Sequence, residues 1–295
     1  MAEDDKGDGN MGREELTENK SDLNRRCLLR ATSAAAVGAV GVGAASTSVS
    51  AGEVKDCTDW PVEAPADYPE VDLTGTPSES NIPHGVDEIC IYVHGWNGMK
   101  SSENQAYTYE TALGQNGYGA PVVAATWDAD TANFWGAESN ADTAGQRLAD
   151  WLRDYRAANP STTIRLTGHS LGGRVSLATL NALGGDEVID TVALLGAAVN
   201  DDTVCDDGEY ADGITHSAHV VYNYHSRDDD TVCTLYGLQT WGSGVGCDGA
   251  DCGGWFSSGS TPDSYHDRDV TAQVDGHCEF MRPDIGCVPQ IVNDF

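Results

Sequence analysis

The chain has 295 residues and a formal charge of −31, from 47 acidic and 16 basic side chains. Such an acidic surface repels phosphate backbones and anionic lipid, which argues against nucleic-acid binding and against adhesion to charged membranes. With 40% hydrophobic residues and seven tryptophans, the composition is too apolar for a disordered acidic chain, so a folded core is expected.

The first 51 residues stand apart. Residues 1–22 are polar and charged and read as an unstructured leader. "NRRCLLR" follows, with Arg25 and Arg26 side by side, then an uncharged Ala/Gly/Val run from Ala31 to about Val49, then small residues ending at Ala51. Basic, apolar, then small is the order of an export signal rather than of a folded element. The run is weakly hydrophobic for a membrane anchor, a retained N-terminal anchor being the alternative reading. The paired arginines resemble the twin-arginine signal, which implies the export machinery for folded precursors as a partner and a secreted or cell-surface product. Cys27 lies among the signal residues and is not read as a lipid-attachment site. Lysine is confined to Lys6, Lys20, Lys55 and Lys100, and the composition resembles that of halophilic, haloarchaeal-type proteins, whose self-repulsion is screened by salt.

Residues 52–295 suit one large α/β domain. "EICIYVHG" (88–95) places Ile89, Ile91 and Val93 on one face of a strand and Cys90 and Tyr92 on the other. Neither face is strongly polar, as in a strand covered by helices on both sides. "PVVAATWD" (121–128) is a second strand. Residues 141–160 put Leu148, Trp151, Leu152 and Tyr155 at helical spacing. "TIRLTG" (163–168) is a third strand, and a helix runs from Leu171 to Leu183, stopped by Gly184 and Gly185. Strands at 189–199 and 219–226 follow, then a short helix at "VCTLYGLQT" and a Gly/Ser loop from Gly242 to Gly259. Strands alternating with helices imply a mostly parallel sheet, whose ligands bind at the carboxyl ends of the strands.

Gly168-His169-Ser170-Leu171-Gly172 falls between a strand and a helix. A serine at so tight a turn has strained backbone angles and a projecting hydroxyl, and glycines stand where larger residues would collide. The helix that follows favours negative charge developing at the serine. "GHSLGG" with the earlier "VHGW" (93–96) resembles the α/β-hydrolase family and its lipase/esterase branch, over essentially Asp87 to the C-terminus. The resemblance implies an α/β-hydrolase fold and a serine, an acid and a histidine in that chain order. Ser170 is the expected nucleophile. The acid is expected just past the strand at 219–226, where Asp228, Asp229 and Asp230 lie; Asp229 fits best and Asp230 is the alternative. The base is expected last: His277, with Phe280 soon after it, is preferred over His266, which sits in a polar stretch. The oxyanion hole would use the backbone N–H groups of Leu171 and Trp96, with His94 and Gly95 supporting the turn. His84, His169, His216, His219 and His225 read as structural or exposed, His169 as packing.

The expected reaction is cleavage of a carboxylic ester, small or lipid, through an acyl-enzyme, with no cofactor. Trp96, Trp127, Phe134 and Trp135 follow the ends of two early strands and are candidates for an acyl pocket. Residues 200–217 are short for a helical lid. The same triad would equally serve a thioesterase, a peptidase or an acyltransferase; a noncatalytic surface module is a third reading. Eight cysteines follow the signal, and an even number in an exported chain reads as disulfides. Local guesses are Cys247 with Cys252 and Cys278 with Cys287, with Cys90 a buried thiol. No metal site is expected: the cysteines lack zinc-ribbon spacing, and the acidic loop at 200–213 lacks that of an EF-hand.

Overall fold

Alternation of apolar side chains along short β-branched runs builds the sheet, and a helix-period stripe builds each of the larger helices beside it. The structure, a computed structural model, describes residue 57 and residues 60–236, 243–253 and 259–295. The export signal and part of the Gly/Ser loop therefore lie outside the described residues.

The elements in chain order are β1 (Glu70–Asp72), β2 (Ser78–Ser80), β3 (Glu88–Val93), α1 (Ser102–Gln115), β4 (Val122–Thr126), α2 (Phe134–Ala158), β5 (Thr163–His169), α3 (Leu171–Leu183), β6 (Thr191–Leu195), α4 (Ala211–Ser217), β7 (Val221–His225), a π-helical turn (Thr231–Tyr236), α5 (Val245–Asp248), β8 (Tyr265–Asp269) and α6 (Val288–Asp294). The strands form one sheet in the order β2-β1-β4-β3-β5-β6-β7-β8. Every pairing is parallel except that of β1 with β2. The expected α/β-hydrolase fold holds: a mostly parallel sheet whose central strand, β5, runs into a helix through the serine turn.

Both faces of β3 are buried, as its sequence requires. Ile89, Ile91 and Val93 pack with α2 and α3, including Leu148, Leu152, Val175 and Leu180. Cys90 and Tyr92 pack on the opposite face with Tyr109 and Leu113 of α1 and Ile291 of α6. Burial of this kind contributes about 1.5–3 kcal/mol for each large side chain. Asn133 caps α2, its side-chain oxygen accepting from the Gly136 N–H at 2.9 Å. Arg174 ties α3 to α2 through a two-pronged bond to Asp142 (2.8 and 3.0 Å).

Several elements differ from the sequence expectation. The sequence reading does not anticipate α1, α4, α5, β8 or α6, α5 lying within the expected Gly/Ser loop, and the stretch at 232–240 is a π-helical turn as far as Tyr236. α4 packs Ile214 into the core and is tied to α3 by the Gly213 N–H, which donates to Asn181 Oδ1 at 3.1 Å. His266 is exposed, as expected, but lies on the edge strand β8. Among the described residues, no helix is long and apolar enough to cross a membrane, and no cluster of three or more His, Cys, Asp or Glu is placed to hold a metal ion.

Both local disulfide guesses are overturned. The bridges are Cys57–Cys278, Cys205–Cys252 and Cys233–Cys247. A parallel sheet gathers the loops that leave its carboxyl edge, so cysteines far apart in the chain meet there in preference to near neighbours. Cys287 is a buried free thiol whose sulfur donates to Phe280 O. Cys90 is a buried free thiol, as read from the sequence, and burial pushes it up to about 12.

Candidate active site

Ser170 sits between β5 and α3 with φ 55° and ψ −125°. For a non-glycine residue this region costs about 1–3 kcal/mol and is held only where the surroundings dictate it. Here they do. The Ser170 N–H donates to Leu195 O at 3.0 Å, and Ser170 O accepts from the Ala198 N–H at 3.0 Å. The hydroxyl does not cap α3. A Cβ at Gly168 would meet Gly172 O at 2.4 Å, and one at Gly172 would meet Val93 O at 2.2 Å. Both glycines are therefore demanded by backbone-to-backbone approach. Gly172→Ala is expected to lower unfolding free energy by about 3 kcal/mol, because the obstructing atom is a β3 carbonyl that cannot swing aside. Chemical denaturation checks it; a variant as stable as the parent would mean that α3 tolerates displacement from β3.

The turn after β3 lies against the serine: a Cβ at Gly95 would fall 3.2 Å from Ser170 Oγ. Leu171 opens α3, so its N–H has no acceptor within the helix. Neither this N–H nor that of Trp96 donates to protein among the described residues. His94 braces the turn. The Trp127 N–H donates to His94 Nε2 at 3.2 Å, so the ring proton is on Nδ1, which donates to Gly95 O at 2.9 Å. Burial holds the His94 pKa down to about 4.

This has a consequence for acid stability. The folded pKa of His94 lies below its ordinary value of 6.5, so the unfolded chain binds a proton first as pH falls. The stabilisation is complete above pH ~6.5 and is lost between there and pH ~4, about 3 kcal/mol at most. Asp201 works the opposite way, raised to about 6 by burial and by Asp202 and Asp251. A difference measurement cancels such carboxylates. The stability advantage of the parent over His94→Asn is expected to shrink as pH drops from 6.5 to 4, read by denaturant titration at each pH.

Just past β7 lies Asp229, the expected acid. Asp229 is fully buried. Its Oδ1 accepts the N–H groups of Thr231 and Val232, both at 3.1 Å, and its Oδ2 accepts from His277 Nδ1 at 2.7 Å. Asp230, the alternative acid, is exposed to solvent. His277 lies in the irregular stretch between β8 and α6, with a side chain only 9% exposed. The loops that carry Asp229 and His277 are joined by the Ser226 hydroxyl, which donates to Val274 O at 2.6 Å. The Cys57–Cys278 bridge holds the residue next to His277, and Cys233–Cys247 holds the turn after Asp229. Phe280 is buried over Gly196, where a Cβ would come within 2.6 Å of the ring and 2.9 Å of Asp229 Oδ2.

Of the aromatic candidates, Trp127 is corrected. It is fully buried, stacks on His94 at 5.6 Å and donates from its indole N–H to His94 O, so it supports the turn and lines no open pocket. A ring just past a strand end can turn inward or outward, and here the buried histidine beside it takes the ring. Trp96 is partly buried against Phe134 at 5.8 Å, and Trp135 is 61% exposed. Sequence reading missed His169 as more than packing: its Nε2 lies 2.7 Å from His277 O. Only the adjacency of this imidazole to the serine hinted at it.

No protein-family model and no curated protein matches the chain. Among solved structures it is similar to a Trichoderma reesei cutinase in complex with a phosphonate inhibitor (17% identity, TM-score 0.31, 45% of this chain and 59% of that one). It is similar also to Est1E from Butyrivibrio proteoclasticus (15% identity, TM-score 0.36, 70% and 84%). A third is a hyperthermophilic esterase from Pyrobaculum calidifontis (16% identity, TM-score 0.31, 41% and 40%). The chain thus spans about 59% of the length of that cutinase and 40% of that esterase. Likenesses of this order carry no argument; the fold rests on the order and direction of the strands, and the chemistry of the site on its own geometry.

Proposed function

We propose that the chain is a secreted serine hydrolase that cleaves carboxylic esters through a Ser170–Asp229–His277 triad. The observation that carries this reading is the pairing of a strained serine at a strand-to-helix turn with a buried His277–Asp229 couple at 2.7 Å across the same sheet edge. Asp229 accepts the Nδ1 proton of His277, which leaves Nε2 bare to act as base. As Ser170 Oγ bonds to the ester carbonyl carbon, His277 Nε2 takes the hydroxyl proton. The carbonyl π electrons move to oxygen, which the Leu171 and Trp96 N–H groups stabilise. Collapse expels the alcohol, protonated by His277, and leaves Ser170 acylated. Water then attacks the acyl carbon with His277 again as base, and collapse breaks its bond to Ser170 Oγ, which takes the proton back from His277 as the carboxylic acid leaves. Trp96 and Trp135, beside this edge, are the proposed contacts for the acyl chain.

The twin-arginine leader supports export by that route, and the three bridges fit an oxidising destination. The charge of −31 supports a salt-adapted working environment. The decisive experiment treats the folded protein with a fluorophosphonate probe and a panel of acyl esters of rising chain length, in dilute and molar salt. Labelling confined to Ser170, with turnover of short esters that strengthens in salt, is expected. Absence of labelling would favour a noncatalytic module. Labelling with turnover only of thioesters or peptides would keep the triad and replace the substrate class.

A further inference from the structure

We infer that His169 is a positioning residue for the base: its imidazole, at the end of the central strand, fastens the His277 backbone one residue from the nucleophile. The inference rests on the triad proposed above. His169 is the last residue of the central strand β5, and its backbone pairs in register with Leu195 of β6. Its side chain is buried, with the ring centroid 4.7 Å from that of His277 and 6.4 Å from that of Phe280. Nε2 lies 2.7 Å from the His277 carbonyl oxygen. A carbonyl only accepts, so Nε2 carries the proton and donates it.

The base needs such a fastening. Residues 270–287 contain no helix or strand, and individual contacts hold them: the Val270 N–H donates to His225 O at 2.9 Å, and Thr271 Oγ1 accepts from the Arg227 N–H at 3.1 Å. Val274 O is held by Ser226, Cys278 by the bridge to Cys57, and the His277 ring by Asp229. None of these ties refers the base to the serine. No hydrogen bond joins Ser170 Oγ to His277 here, so the register between nucleophile and base depends on their shared scaffold. His169 supplies it: one residue is covalently bonded to Ser170 and hydrogen-bonded to His277. Asp229 fixes the ring from one end and His169 fixes the backbone from the other, which together set where Nε2 lies. A shift of about 1 Å at such a contact costs on the order of a hundredfold in rate.

The chemistry of the brace also matters. During acyl transfer His277 becomes positively charged, and a second cation 4.7 Å away would oppose that. His169 stays neutral: burial, and next the charge of His277, hold its pKa down to about 3, against the milder upward pull of its bond to the His277 carbonyl and of Asp229. An imidazole kept uncharged gives a ring to pack and a proton to donate, without a charge that resists protonation of the base. Phenylalanine would keep the packing and lose the donor; glutamine would keep the donor and lose the ring.

Those two substitutions make the test. The parent, His169→Phe and His169→Gln are compared by kcat and KM on a short acyl ester, per fluorophosphonate-titrated site, and by amide hydrogen exchange of peptides covering 274–279. His169→Phe is expected to lower kcat at least tenfold with KM within about twofold, and to speed exchange at 274–279. His169→Gln is expected to recover kcat to within about threefold and to restore protection. Parental kcat and exchange in His169→Phe would overturn the inference. So would equal impairment of both variants, which would mean that a donor at this position does not by itself hold the base. A parent protein that neither labels nor turns over any ester would overturn the triad reading instead, and the exchange arm would then decide the fastening by itself.

Discussion

Ser170→Ala is expected to lower turnover of short acyl esters by about 10⁴- to 10⁶-fold without unfolding the protein. The loss follows from the role: with no hydroxyl there is no acyl-enzyme, and only binding and the two backbone donors remain to assist water. The fold should survive because Ser170 Oγ does not cap α3, while the turn is held by the backbone bonds to Leu195 and Ala198. Ser170→Gly sharpens the point. Glycine adopts φ 55° and ψ −125° without strain, so this variant should be equally inactive yet more stable by about 1 kcal/mol. Inactivity with raised stability separates a residue kept for chemistry from one kept for structure. Turnover near that of the parent in either variant would remove Ser170 from the mechanism.

Asp229→Asn is expected to cost about 10⁴-fold in kcat, through the tautomer of His277 rather than through the fold. The carboxylate accepts three hydrogen bonds in a fully buried position. Asparagine retains an oxygen for the Thr231 and Val232 N–H groups, but turns its NH₂ toward His277 Nδ1. That nitrogen must then accept, which moves the ring proton to Nε2, where it blocks abstraction of the serine proton. Fluorophosphonate labelling should slow in step with kcat, while the unfolding midpoint changes little. Asp230→Asn, on an exposed neighbour, should leave both rates at the parental level and serves as the control. Full activity in Asp229→Asn would mean that the 2.7 Å contact does not govern the base.

The elements legible in the sequence are those whose pattern is strong within a dozen residues. β3, β4 and β6 carry apolar residues on both faces, β5 alternates Ile164 and Leu166 with polar residues, β7 carries Val221, Tyr222 and Tyr224, and α2 and α3 carry a clear apolar stripe. The serine turn is legible for the same reason: its demand for glycine at 168 and 172 is local. Weak local patterns were silent. α1 buries Ala106, Tyr109, Ala112 and Leu113 among polar neighbours, a stripe too small to announce itself. β8 is an edge strand with His266, Asp267 and Asp269 facing solvent, so its pairing with β7 rather than any alternation makes it a strand. α4 is a single short stretch whose identity depends on Asn181 of α3.

The order of serine, acid and histidine is what the resemblance implies; what the sequence determined by itself was the succession of strands and helices and the strained turn at Ser170. These depend on interactions between residues a few positions apart. The tertiary structure alone decided which of three consecutive aspartates is buried beside His277, which cysteines pair, that Trp127 turns inward onto His94, and that His169 reaches the carbonyl of the base. Each of those outcomes depends on where loops separated by tens to hundreds of residues come to rest over the carboxyl edge of the sheet. No local pattern encodes that meeting, because it is set by the order of strands in the sheet and by the burial that the packed helices impose.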